Sequence, residues 1–149
     1  MSICVRGLPL RTWTCRVRTM STHVQPLVMQ IIVDRDLVKQ PEWTTGPLMA
    51  QAAHAATAAL AESWMHENTR AYVSTDNLPH MHKIVLQTPK GVTLTALSEQ
   101  LRGVTEPDMP THYLWTEQPE NVPTCLAIAP NRKPACLTQI LKKCTLLRS

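Results

Sequence analysis

The sequence predicts a single α/β domain, in which a mixed four-stranded sheet carries helices packed on both faces. Three observations predict it. Strand-like apolar runs alternate with helix-like ones along the chain, in the order β, α, α, β, α, β, β, α. The early strands are separated by helical crossovers, which imply parallel neighbours, whereas the last two are joined by a short link that permits an antiparallel pair. At 149 residues, 44% of them hydrophobic, the chain is long enough for one core and too short for two full domains.

Residues 1–22 stand apart from this pattern. Arg6, Arg11, Arg16 and Arg18 lie among hydroxyl residues, Leu8, Leu10 and Trp13 with no acidic residue, the composition of a mitochondrial presequence. The competing reading is a flexible basic leader ahead of an alternative start at Met20-Ser21, because Gly7 and Pro9 weaken an amphipathic helix. The expected domain is residues 23–149, placed in the cytoplasm, or in mitochondria if the leader directs it there.

Within that domain, residues 27–33 form an apolar run of Leu, Val, Met and Ile ending at Asp34-Arg35-Asp36, which predicts a buried strand. A polar loop follows to Thr45. Gly46-Pro47 then opens an Ala-rich helix to about residue 64, with Thr45 or Gly46 as cap and Pro47 in the tolerated first turn. Leu48, Ala52, Ala55, Ala56, Ala59 and Leu60 give it a helical period. A second helical piece is expected over residues 67–75, broken by Asn77 and Pro79, and a strand over residues 83–87. Pro89-Lys90-Gly91 turns the chain into a helix marked by Leu94, Leu97 and Leu101 and ended by Gly103. Residues 112–115 and 124–129 are the last two strands, separated by a loop over residues 117–123, and Pro134 opens a final helix to about residue 143.

Charge and cysteine usage narrow the function classes. Apart from the leader, eleven basic residues balance eleven acidic ones, so the domain is neutral. Its one basic cluster is C-terminal: Arg132, Lys133, Lys142, Lys143 and Arg148, with no acid after Glu120. This is either a solvated face or a surface for phosphates. The five cysteines show no CxxC spacing, which signals neither a disulfide framework nor a zinc site and points to a reducing compartment. No apolar stretch is long and uninterrupted enough to cross a bilayer. His80 and His82 share strand-like spacing without a third ligand and read as surface residues, so no metal is expected. The absence of Phe, with aromatics at only 4%, disfavours base-stacking platforms.

Two clusters carry chemistry. At the start of the Ala-rich helix, Gln51, His54 and Ala55 fall on one side. His54 reads as either a core histidine or a pocket residue, and Gln51 as a hydrogen-bonding residue of structural or functional use. In the second cluster Glu117 ends one strand and Thr124 begins the next. Strand ends facing a helix N-terminus are where α/β proteins build sites, although ordinary loop chemistry fits the same residues.

These clusters, in this order, resemble the type 2 peptidyl-tRNA hydrolase family of archaea and eukaryotes over about residues 24–147. The segments concerned are Arg35-Asp36-Leu37, Ala50-Gln51-Ala52-Ala53-His54-Ala55-Ala56, Lys83-Ile84-Val85-Leu86, and Thr124 leading into Leu126-Ala127-Ile128-Ala129-Pro130. Trp115-Thr116-Glu117-Gln118-Pro119-Glu120-Asn121 is similar to the eukaryotic domain-containing branch. The resemblance implies a compact α/β fold, frequent homodimers, no metal or cofactor, and cleavage of the ester joining a peptide to the tRNA 3′ end. Such a reaction needs an activated water, donors for the oxyanion and cations for phosphates. The leading reading puts Glu117 on water, Thr124 on the oxyanion, Thr45, Gly46, Gln51 and His54 around the substrate, and Lys142 and Lys143 of the C-terminal basic cluster on phosphates.

The sequence departs from the family at several positions. Where the family carries two lysines around a glycine, Gly46 has Thr45 and Pro47. Glu117 stands where the family has an aspartate, and its extra methylene moves the carboxylate by about 1.5 Å, a displacement worth roughly a hundredfold in rate where positioning supplies catalysis. The loop before Thr124 is shorter and lacks the family's first threonine. Three readings follow: an esterase acting on peptidyl-tRNA or a related acylated tRNA, a catalytically weak module that binds tRNA or a protein partner without turnover, and a purely protein-interacting homodimer.

Overall fold

The computed structural model describes residues 25–148. The leader expected over residues 1–22 lies outside the described residues. Strand β1 (Val28–Val33) is buried at all six positions, because it is the central strand and both of its faces are covered. It pairs in parallel with β2 (His82–Gln87) and antiparallel with β4 (Val122–Ile128), which pairs in turn with β3 (His112–Glu117).

The sheet has five strands, in the order β3-β4-β1-β2-β5, and not the four expected. The addition, β5 (Thr145–Leu146), lies antiparallel against Leu86 and Gln87. Two exposed residues show no periodicity that sequence reading can detect, and only the neighbouring edge of β2 makes them a strand.

Helices cover both faces. On one face α1 (Thr45–Glu62) sets Ala55, Ala56 and Ala59 against Met29, Ile31, Val33, Cys125 and Ala127, together with Tyr72 of α2 (Glu67–Tyr72). The small side chains let the helix backbone lie close to the strands. On the other face Leu94, Leu97 and Leu101 of α3 (Leu94–Arg102) and Leu137 of α4 (Ala135–Leu141) meet Ile32, Leu126 and Ile128. Successive residues of β1 and β4 thus alternate between two cores, as strand geometry requires.

Boundaries differ from expectation where side chains intervene. Helix α1 is capped by Thr44 and not by Thr45 or Gly46, and the Thr44 side chain makes no capping bond. Helix α2 stops at Tyr72, three residues early, where Asn77 Nδ2 donates to the Tyr72 carbonyl at 2.7 Å. The expected loop over residues 117–123 is a tight hairpin instead. Strand β3 continues to Glu117, β4 begins at Val122, and Asn121 takes the left-handed turn position at φ 56° that asparagine tolerates.

Candidate functional site

One end of the sheet collects the C-terminal ends of β1, β2 and β3, the beginning of β4, and the N-terminal turns of α1. The hydroxyl of Thr124 donates to Gln51 Oε1 at 2.9 Å, joining β4 to α1. Both residues are buried, Thr124 completely and Gln51 to 4% exposure. A break in the strand alternation makes the contact. Leu126 and Ile128 point into the α3/α4 core, and strict alternation would send Thr124 after them. The ladder instead pairs Trp115 with Cys125 and Thr116 with Pro123, leaving Thr124 as an extra residue in a β-bulge. The bulge turns the hydroxyl to the α1 face, and the preceding Pro123 has no N–H to donate to a regular ladder.

Glu117 lies on that same face. Its Oε2 accepts a hydrogen bond from the Trp115 indole nitrogen at 3.1 Å, two residues back along edge strand β3. The Trp115 ring is stacked on His54 of α1, with centroids 4.7 Å apart and planes 22° from parallel. His54 is exposed, so the core-histidine reading falls. Gln51 and His54, three residues apart on α1, therefore hold the two halves of the site. Sequence reading passed over Trp115; its signal was a tryptophan two residues before an acid on one strand, sharing a face with it.

The remaining residues lie further off. Thr45 and Gly46 are exposed in the first turn of α1, and Pro47 supplies no backbone N–H there. Lys142 and Lys143 follow α4 and lead into β5, at the same end of the sheet but at its opposite edge from β3. Four strand spacings of about 4.8 Å put them roughly 19 Å from Glu117. Lys39 is paired with Asp36 at 2.7 Å, and its hydrogen bond and then its charge hold the Asp36 carboxyl below the usual range. Arg35, next to the central strand, donates through Nε to the Thr88 carbonyl and through Nη2 to Thr145 Oγ1.

A cleft of about 840 Å³ opens at the other end of the sheet, among Ser63, His66, Asp108, Thr111, Asn131 and Arg132, and contains none of the candidate site residues. Among the described residues no three His, Cys, Asp or Glu side chains gather as metal ligands, and no helix is long and apolar enough to cross a membrane. His80 and His82 are both exposed.

The family model described as "Peptidyl-tRNA hydrolase PTH2" matches residues 27–147, a span that holds the whole site. The chain belongs to this family. It is also 42% identical, over 125 residues, to the human and mouse proteins named "Putative peptidyl-tRNA hydrolase PTRHD1", covering 83% of this chain and 84% of each relative. In this peptidyl-tRNA hydrolase-like protein the matched span includes β3, β4 and α1, where a glutamate is held by a tryptophan and a buried threonine is bonded to a glutamine.

Proposed function

We propose that this chain hydrolyses the ester between a peptide or acyl group and the 3′-terminal ribose of tRNA. Glu117 takes a proton from water as its oxygen attacks the ester carbon. The bond to the ribose oxygen then breaks, and that oxygen receives the proton back from Glu117. Thr124 supplies the oxyanion donor, its hydroxyl turning from Gln51 Oε1 to the substrate as α1 opens from the strand end where the pair is buried. Thr45, Gly46 and His54 border the acyl-ribose end, and Lys142 and Lys143 meet phosphates further along the acceptor arm.

The observation that carries this reading is the shared face: a carboxylate on β3 and a bulge-turned hydroxyl on β4 both look toward the start of α1. The test is hydrolysis of N-acetylated aminoacyl-tRNA by the full chain, compared with Glu117→Ala and Glu117→Gln. Both variants are expected to lose at least a hundredfold in kcat. Equal rates in all three proteins would remove Glu117 from the mechanism.

A second reading, a tRNA-binding module without turnover, is favoured by the cations. Thr45 and Pro47 occupy the lysine positions, Lys39 is paired with Asp36, and Lys142 and Lys143 sit across the sheet. Salt-sensitive tRNA binding by a chain that releases no acyl group would select it.

A further inference from the structure

We propose that Trp115 is a positioning residue for this hydrolysis, holding one oxygen of Glu117 so that the other alone meets the water. The proposal rests on the reading of Glu117 as the base. Glu117 is the last residue of an edge strand, followed at once by the turn over residues 118–121, and nothing in the backbone there restrains its side-chain torsions. The indole does restrain them. Its N–H donates to Oε2 at 3.1 Å, and as a group that only donates it cannot compete for the proton. The proton taken from water is therefore directed to Oε1.

The tryptophan is itself held on several sides. His54 stacks on its ring, Tyr113 lies tilted at 6.3 Å between centroids, and the ring packs against the core formed by α1, β1 and β4. Two struts thus leave one helix: His54 to Trp115 to Glu117, and Gln51 to Thr124. Helix α1 sets the spacing between base and oxyanion donor. It also fixes a longer acid in a place where the family carries aspartate, with the indole taking up the additional freedom of the extra methylene.

The test compares the full chain with Trp115→Phe, His54→Leu, Glu117→Gln and Glu117→Ala, using N-acetylated aminoacyl-tRNA as substrate. Trp115→Phe keeps a ring and removes the donor. It is expected to lower kcat roughly ten- to a hundredfold with KM within about threefold of the parent, since an unaligned carboxylate impairs reaction more than binding. In ¹⁵N–¹H spectra the indole resonance that vanishes in Trp115→Phe is expected to move in Glu117→Ala, which reports the bond to the carboxylate in solution, while the loss in kcat at nearly constant KM is what a purely structural tryptophan would not show. His54→Leu, which leaves the N–H but removes the stacked ring, is expected to lower kcat several-fold and carries the test if Trp115→Phe does not fold. The proposal is overturned if Glu117→Gln loses its activity while Trp115→Phe, or a folded His54→Leu in its place, stays within twofold of the parent. An indole resonance unmoved by Glu117→Ala overturns it equally. Full activity in Glu117→Gln, or no turnover by the parent chain, overturns the function proposed above, and the positioning role falls with it.

Discussion

Replacing Thr124 with valine exchanges a hydroxyl for a methyl at a position with no exposed surface, so the change in shape is small and the change in hydrogen bonding is complete. The parent bond spans 2.9 Å to Gln51 Oε1, and Gln51 is itself 4% exposed. Water cannot replace the lost donor without opening α1 from the sheet. A buried acceptor left without its partner costs about 1–3 kcal/mol. For a chain of this size, roughly 4 °C of melting temperature accompanies each kcal/mol, so a fall of about 4–12 °C is expected. Urea unfolding followed by far-UV circular dichroism should show a lower midpoint with an unchanged slope. The double variant Thr124→Val/Gln51→Met makes both partners apolar and should recover most of the loss, giving a coupling of about 1–2 kcal/mol. A Thr124→Val protein within about 0.5 kcal/mol of the parent, or a double variant equal to the sum of the singles, would refute the claim that this pair fastens α1 to β4.

Three further outcomes follow from burial. His112 accepts or donates a 2.8 Å hydrogen bond with Ser98 Oγ, and its pKa lies below the ordinary 6.5, first through burial and then through the charge of Arg102, with the Ser98 bond opposing. The unfolded chain therefore takes up this proton more readily. His112 has no effect well above pH 6.5, and stability falls as pH drops below that value, down through the folded-state pKa. Melting curves from pH 8 to 5 should flatten in His112→Gln, and an unchanged slope would sink this assignment. Cys125 is buried, and its thiol is pushed up to about 12, chiefly by burial and secondarily by Asp34. Iodoacetamide at pH 8 should leave Cys125 unmodified in the native protein and alkylate it in denaturant; peptide mapping that finds native labelling would refute this. Leu126→Ala, at a fully buried β4 position, should cost about 2–5 kcal/mol, and a loss below about 1 kcal/mol would show that the α3/α4 face is loosely packed.

What the sequence by itself determined was local periodicity and the residues at element ends. The unbroken apolar run of β1, the Leu94-Leu97-Leu101 stripe of α3 and the Ala-rich face of α1 each declare what they bury, because burial on a strand or helix repeats at a fixed spacing. Glu117 and Thr124 stood out as polar groups at strand ends, and Gln51 and His54 as polar groups on one side of the Ala-rich helix, with their roles coming from the family resemblance. Tertiary structure alone decided how they meet. The bulge that sends Thr124 to α1 depends on where β3 pairs with β4, and its bond closes a separation of 73 residues. The stacking of His54 on Trp115 depends on α1 crossing the β3 edge, and β5 is a strand only because β2 lies beside it. The distance of Lys142 and Lys143 from Glu117 follows from strand order across the sheet. Contacts of this kind join segments whose own sequences carry no trace of each other, since register and crossing are settled only when both cores pack at once.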